Sequence, residues 1–329
     1  MAKSLDFWYD GTMNFEKIEA AYELMLENIQ LLQNQLTTNI YDAMIEQNMA
    51  YINSERTDKT ILKNNANLKK MALSKEEWRR VYQFLFIKAN QTEPLQYNHQ
   101  FTPDSIGFIL SFIMDSLLSE EQLEILEIGS GTGNLANTLL NNSQKKLDYL
   151  GIELDDLLID LSASMAEVMG ADLHFVQGDA VRPQLLKPSD VIFSDLPVGY
   201  YPDDRIASRF SLAAKEGHTY AHHLLMAQSI KYLKSGGYAI FLAPNNLLTS
   251  AQSSLLKHWL KAEAQLIAMV SLPETLFGKK ELAKSIFVFQ KQDEEKQEAF
   301  VYPLKSLQDP EILRHFSQSF KKWASENAK

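Results

Sequence analysis

The sequence predicts a doubly wound α/β fold: a mostly parallel sheet of about seven strands with helices on both faces, preceded by a helical domain. Three observations carry this. Short apolar runs alternate with helix-period segments through the middle of the chain. One of those runs ends in Leu126-Glu127-Ile128-Gly129-Ser130-Gly131-Thr132-Gly133, a glycine-rich turn between a strand and a helix. The first ninety residues show helical spacing instead, with Phe15, Ile18, Tyr22, Met25, Ile29, Leu32 and Leu36 alternating steps of three and four.

Taken in order, that seam is three heptads long, short for a free coiled coil. It is expected to pack on the helix carrying Tyr41, Met44 and Ile45; a second copy or a partner subunit is the alternative use. The polar stretch Asn53 to Lys70 reads as a loop or weak helix. Ser74-Lys75-Glu76-Glu77 is a capping box opening a helix with Trp78, Val81, Tyr82 and Leu85 inward. Asn90-Gln91-Thr92-Glu93-Pro94 marks a boundary, giving a helical domain over 1–94, an α/β domain over 95–292, and a linker with a docking helix over 293–329. The linker carries Asp293-Glu294-Glu295 and the helix Leu313, Phe316, Phe320 and Trp323.

Within the α/β part, Ile106, Ile109, Leu110, Ile113 and Leu117 mark a helix ahead of the strand Ile125 to Ile128, and Asn134 to Leu140 opens the helix after it. Strands follow at Tyr149 to Ile152, Leu173 to Gln177 and Val191 to Ser194. A helix over Ala221 to Leu233 closes at Lys234-Ser235-Gly236-Gly237, and strands follow at Tyr238 to Leu242 and Ser285 to Phe289.

A glycine turn of this kind lets a ligand lie against bare backbone, with the amides of a helix N-terminus aimed at it. A dinucleotide site wants Gly-x-Gly-x-x-Gly, but the sixth position here is Asn134. About 20 residues past Gly133, a strand ends in Glu153, where such folds put a carboxylate for the ribose hydroxyls. The next strand closes with Gly178-Asp179-Ala180. Any one of these acids alone is usually a solvated loop charge; three strand-end signals in order on successive units are not.

The spacing Glu-x-Gly-x-Gly-x-Gly resembles the first motif of class I S-adenosyl-L-methionine-dependent methyltransferases. The resemblance implies that Glu127 and the loop Gly129, Gly131 and Gly133 hold the methionine end, that Glu153 takes the ribose, and that Asp179 accepts from the adenine amino group. Asp195-Leu196-Pro197-Val198-Gly199-Tyr200-Tyr201-Pro202 resembles the Asn/Asp-Pro-Pro-aromatic motif of amino-group methyltransferases. An exocyclic amino nitrogen is a poor nucleophile because its lone pair is delocalised. In that family the acid and the next carbonyl accept its two protons while an aromatic ring stacks on the extruded base. By that resemblance Asp195 and the Leu196 carbonyl are the acceptors, Pro197 is the second proline, and Tyr200 or Tyr201 replaces the aromatic lost at Val198. Asp195 is also expected to face the cofactor methyl. Leu196, standing where the first proline belongs, is a departure.

Upstream, Phe101-Thr102-Pro103 resembles the Phe/Tyr-Thr-Pro motif that contacts the cofactor in methylation subunits of type I restriction-modification systems, the N6-adenine group. Leu272 to Phe277 also recurs there, and the order of motifs, cofactor loop before catalytic loop, is that of the group. The resemblance spans residues 95 to 292. It implies methyl transfer to an exocyclic amino nitrogen, first of all adenine N6 in DNA, with RNA adenines or a protein amide as alternatives. The reading from another class is a cofactor-binding interaction protein without transferase activity.

Composition sets outer limits. The chain has 329 residues and no cysteine, which excludes disulfides, zinc-thiolate sites and a thiol nucleophile. No stretch is apolar for long enough to span a membrane, and Met1 to Asp6 lacks a signal peptide's apolar core, so a cytoplasmic location is expected. Residues 101–230 carry 19 acidic and only 7 basic side chains. A protein gripping DNA unaided would show a basic face. A nucleic-acid substrate therefore calls for a partner, either a specificity subunit or a second copy docked through the N-terminal helices. His218 and His222 stand four apart, but no third metal ligand accompanies them and methyl transfer needs no metal.

Overall fold

A computed structural model describes residues 14–54, 58–95, 102–278, 282–291 and 298–327. Phe101 and the acidic linker residues Asp293-Glu294-Glu295 lie outside the described residues. The described residues begin with four helices, α1 (Phe15–Leu36), α2 (Ile40–Asn53), α3 (Lys59–Met71) and α4 (Lys75–Thr92). Side-chain caps start all four: Asn14, Asn39, Asp58 and Ser74 each accept from the amides of the first turn. The Ser74–Glu77 capping box forms in both directions.

The middle of the expected seam of α1 is inward: Ile18, Met25, Ile29 and Leu32 are fully buried and share one core with Met44 of α2, Ile61 and Leu68 of α3, and Trp78, Val81, Tyr82 and Leu85 of α4. Phe15 and Leu36 at the two ends of the seam are exposed, because the shorter helices packed on α1 do not cover its ends. The stretch read as a loop or weak helix is the thirteen-residue helix α3. Its polarity misleads because two of its asparagines are interior. Asn64 donates to Asn28 Oδ1 (2.9 Å), and Asn65 Oδ1 accepts from Asn28 (3.1 Å) and Gln47 (2.7 Å). These buried hydrogen bonds to α1 and α2 order a helix that its apolar count alone would not predict, even though Asn65 Nδ2 and Gln47 Oε1 are left without partners.

After α5 (Asp104–Leu117) the chain alternates strand and helix: β1 (Gln122–Ile128), α6 (Asn134–Asn142), β2 (Lys146–Glu153), α7 (Asp156–Met169), β3 (Leu173–Gln177), β4 (Ser189–Asp195), the short α8 (Asp204–Ala207), α9 (Ala221–Tyr232), β5 (Leu233–Pro244), α10 (Ser253–Glu263), β6 (Ala264–Ser271), β7 (Lys284–Lys291), β8 (Phe300–Pro303) and α11 (Pro310–Asn327). The strand order is β3-β2-β1-β4-β5-β7-β6-β8, with β7 antiparallel to both its neighbours and every other pair parallel. The chain winds outward from β1 to β3, then returns to β4 on the other side of β1. A crevice therefore opens at the carboxyl ends of β1 and β4, where open α/β sheets bind ligands.

Alternating residues of the buried strands feed two cores. Ile125, Tyr149, Val191 and Phe193 face α5, α6 and α11, whereas Leu126, Ile152 and Ile192 face α9 and α10. The sheet has eight strands among the described residues rather than seven. The eighth comes from the C-terminal segment: Phe300–Pro303 pairs in parallel with Ala268–Ser271. It is only four residues long and half exposed at the sheet edge, so neither length nor alternation betrays it. Beyond it α11 buries Leu313, Phe316, Phe320 and Ala324, with Phe112 of α5 packed edge-on against Phe316 and Phe320. The segment read as closing α9 is instead the start of β5, whose pairing with β4 shifts register between Ser189 and Val191 to pass the two glycines.

The helical bundle is locked to the sheet by polar contacts as well as by apolar packing on Leu161, Met165, Val168 and Met169 of α7. Arg79, its side chain 2 % exposed, bonds Asp104 (2.7 Å), Glu76 (2.5 Å) and Thr138 (3.2 Å), and Arg80 takes the other Asp104 oxygen at 2.6 Å. These contacts fix the first turn of α5, directly after Pro103. Asn48 of α2 reaches across to Ser164 of α7 at 2.9 Å.

Candidate active site

Three glycines build the loop after β1. Gly129, Gly131 and Gly133 have φ of 70°, 53° and 73°, the left-handed region that a Cβ penalises. Their roles differ. A Cβ on Gly129 or Gly131 would meet nothing within 4 Å, and both residues line the cavity; a Cβ on Gly133 would come within 3.1 Å of Phe175 and 3.2 Å of Ser162. Gly133 thus supports the loop from behind, and it starts α6 without a side-chain cap. The amides of Gly129 and Ser130 tie the loop to the tip of β2 through the Ile152 carbonyl, at 2.8 and 3.0 Å.

The loop borders a cavity of about 1000 Å³ at the switch point. Among the sequence-predicted residues, Thr102, Pro103, Glu127, Gly129, Gly131, Glu153, Asp179, Asp195 and Pro197 line it. Gly133 lies behind it, and Leu196 is fully buried but turns its carbonyl toward Lys284, a lining residue. The placement of the aromatic is corrected: Tyr201 lines the cavity, and Tyr200 does not. Tyr200 stacks on Tyr220 outside (ring centroids 4.9 Å apart) because it bridges to Tyr220 as a short β-pair, and neighbours in extended backbone point to opposite sides.

Each acid is held in its own way. Glu153 at the end of β2 accepts from the amides of Gly131 (2.8 Å), Leu154 (2.7 Å) and Asp155 (3.1 Å), which fixes its plane against the glycine loop. Asp179 accepts from the Tyr201 hydroxyl at 2.5 Å, from Arg182 at 3.2 Å and from the Val181 amide at 3.0 Å. Burial, reinforced by Asp179, pushes Tyr201 up to about 12, so it is a donor at every physiological pH. Glu127 is 2 % exposed; burial, with the Glu153 and Asp195 charges adding to it, pushes its carboxyl up to about 8 against a 2.8 Å bond from Tyr149 that favours the anion.

Asp195 closes the cavity at the end of β4. One carboxylate oxygen accepts from Thr102 Oγ1 at 3.0 Å; the other pairs with the Lys284 ammonium, which also donates to the Leu196 carbonyl at 3.0 Å. Lys284 is a cavity residue that the sequence does not announce: it is the first residue of β7, 89 positions from Asp195. A lone lysine leading an apolar strand was the available signal. His222 is likewise placed where the sequence does not announce it. Its ring bonds the Pro197 carbonyl and stacks on Tyr220 at 5.0 Å, and burial lowers it to about 4 despite that bond, so it is neutral. His218 lies outside α9, exposed and 2.9 Å from Asp204, so the two histidines do not share a helix face.

The arrangement joins a carboxylate at the end of β2, a glycine loop open to ligand, a further acid just after β3 and a polar turn after β4. This fold and site define a class I S-adenosyl-L-methionine-dependent methyltransferase. The sequence of residues 73–318 matches the family model described as N-6 DNA methylase. A Bacillus subtilis (strain 168) protein, described as uncharacterized protein YtxK, is 34 % identical over 276 residues, covering 80 % of this chain and 83 % of its own. A crystal structure of a class I S-adenosylmethionine-dependent methyltransferase from Listeria monocytogenes, itself described as putative, superposes with a TM-score of 0.85 at 30 % identity, covering 94 % of this chain and all of that one. The methyltransferase subunit of a type I restriction-modification system from Streptococcus thermophilus shares the fold at 14 % identity, with a TM-score of 0.64 over 80 % of this chain and 61 % of that one. The chain belongs to the N-6 DNA methylase family.

Its cofactor is accordingly S-adenosyl-L-methionine, and the cavity suits it. Gly129 and Gly131 leave room for a ligand to touch backbone, and the Ser130 hydroxyl beside them is buried without a partner. The acids Glu127, Glu153 and Asp195 around the cavity complement a ligand carrying an ammonium and a sulfonium. No helix among the described residues is long and apolar enough to cross a membrane.

Proposed function

We propose that this methyltransferase acts on an exocyclic amino nitrogen, and that the acceptor is adenine N6 in DNA. One observation carries the reading: an Asp195 carboxylate oxygen and the Leu196 carbonyl converge closely enough that one nitrogen, the Lys284 ammonium, donates to both at the cavity wall. Two acceptors converging on one nitrogen are what an amino group with two N–H bonds requires.

In this reading Glu127 and the loop at Gly129 and Gly131 hold the methionine end, Glu153 the ribose and Asp179 the adenine. Bound there, the cofactor would supply an electrophilic methyl, its sulfur–methyl bond giving way to the new nitrogen–carbon bond and the remainder leaving as a neutral thioether. Thr102 fixes one oxygen of Asp195 and so orients the other, now paired with Lys284, toward the position of the acceptor. As the amino protons settle on Asp195 and the Leu196 carbonyl, the nitrogen lone pair leaves the ring and becomes available for bonding. When the N–C bond has formed, the nitrogen carries an excess proton, which Asp195 accepts and passes to water. His222 holds the Pro197 carbonyl and so sets the turn from which the Leu196 carbonyl projects. Tyr201, with Pro197 and Val198, walls the side on which a base would enter.

Recognition of DNA falls to a partner in this proposal, because the segment holding the site is strongly acidic. The partner is a specificity subunit or a second copy, and the outer faces of the N-terminal helices are its docking surface. Incubation with labelled cofactor and separate pools of DNA, RNA and protein tests the assignment. Label is expected in DNA and absent after Asp195→Ala; label confined to RNA or protein sinks the DNA reading.

A further inference from the structure

The nitrogen between Asp195 and the Leu196 carbonyl belongs to the protein. Lys284 Nζ donates to both atoms, and its side chain is only 17 % exposed, beside an Asp195 side chain that is 24 % exposed. The remaining Asp195 oxygen is taken by Thr102. Lys284 thus stands between the two atoms that the amino-nitrogen reading assigns to the acceptor, and an amino group placed between them would meet its ammonium. The backbone that carries it is pinned: Lys284 pairs with Pro244 at the start of β7, and the next residue, Ser285, bonds Asn245 at 2.6 Å. The four-carbon stem is not pinned, and rotation about it moves the ammonium without disturbing the sheet.

We propose that Lys284 is a specificity gate that occupies the amino-acceptor cradle until the acceptor displaces it. This rests on the amino-nitrogen reading above. An ammonium-to-carboxylate hydrogen bond is roughly twice as strong as one from a neutral amino group. A free nucleoside, offering only its amino group, cannot win that exchange. A polymer can, because contacts made elsewhere along it supply the free energy for the displacement. The gate thus selects macromolecular acceptors over free nucleosides or small amines, and keeps the methyl from being spent on the latter.

The test compares wild type with Lys284→Met, which keeps the stem and removes the charge, and Lys284→Arg, which keeps the charge. Methyl transfer is measured at saturating cofactor to 2′-deoxyadenosine and to an adenine-bearing oligonucleotide, with cofactor affinity as the check on folding. Removing a charge-assisted bond should raise kcat/KM for the nucleoside about tenfold or more in Lys284→Met, and less for the oligonucleotide, so that the ratio of the two narrows. Lys284→Arg should behave as wild type. An unchanged ratio overturns the gate, as does loss of transfer to both acceptors with cofactor affinity intact, which would make Lys284 a positioning residue. Transfer to neither acceptor by any of the three proteins refutes the amino-acceptor reading instead. A readout without turnover follows Lys284 itself: amine-reactive labelling and peptide mass mapping should find it protected in the free chain and labelled when the oligonucleotide and S-adenosylhomocysteine are bound. Equal labelling in the two states overturns the gate.

Discussion

Replacing Glu127 by glutamine should make the protein more stable, by an amount that depends on pH. The Glu127 carboxyl sits at about 8 in the folded chain against an ordinary value of 4.5. Between those values the folded state keeps a proton that the unfolded chain gives up, so stability is greatest below the ordinary value, falls as pH rises through the window, and levels off above about 8. The slope is about 1.4 kcal/mol per pH unit, which puts the cost at under about 1 kcal/mol at pH 5 and about 3 kcal/mol at pH 7, as an upper bound. Glutamine fills the same volume and can still accept from the Tyr149 hydroxyl, now 2.8 Å from Glu127, but it does not titrate. Urea unfolding of both proteins from pH 5 to 8 should show curves that diverge steadily with pH. Parallel curves would falsify the claim that burial keeps this carboxyl protonated. The same proton should appear in binding: a cation in the cavity favours the carboxylate, so cofactor binding near neutral pH should release up to one proton. Calorimetry in buffers of different ionisation enthalpy should detect that release in wild type and not in Glu127→Gln.

Asp195→Ala should abolish turnover, by more than about a hundredfold on the scale of lost transition-state acceptors, while cofactor still binds; retained activity would remove Asp195 from the chemistry. Gly131→Ala keeps space around its Cβ but forces alanine to a φ of 53°, a cost of roughly 1–2 kcal/mol. Weaker cofactor binding with the fold intact is expected, and full affinity would show that the loop is not held in this shape. Arg79→Met leaves the half-buried Asp104 with only Arg80 in ion-pair contact, and should destabilise by about 1.5–3 kcal/mol in denaturant unfolding. Burial pulls the Asp104 carboxyl up, but the Arg79 and Arg80 charges outweigh it and hold it below its ordinary range. Its contribution to stability is therefore present at neutral pH and lost as pH falls through that lowered value, and Arg79→Met should move the acid-unfolding midpoint upward.

The parts of the site that constrain backbone were legible in the sequence. Gly129, Gly131 and Gly133 are glycines because the loop is left-handed there, and Glu153 and Asp179 stand at strand ends because adjacent parallel strands bring their tips to one edge. Side-chain choices made by distant segments were not legible. Lys284 reaches Asp195 only because β7 runs antiparallel beside β5, a pairing that sequence order does not reveal. The choice between Tyr200 and Tyr201 turned on a one-residue phase in a two-residue bridge. Helix α3 was hidden because buried asparagines look like solvent-facing ones until their partners on α1 and α2 are known. Strand β8 was hidden because four residues carry too little period to register.

The polar bolt between Arg79 and Asp104 bears on how this enzyme can be dissected. A chain cut after residue 95 would present Leu161, Met165, Val168 and Met169 of α7 to water and leave Asp104 with no counter-charge at the first turn of α5. Thr102, two residues earlier, is the group that orients Asp195. Truncation would therefore loosen the cofactor side and the acceptor side together. The helical bundle is not a detachable adaptor, and a graft that swaps it for another must carry over the inner faces of α2 and α4 unchanged, leaving only their outward residues free to vary.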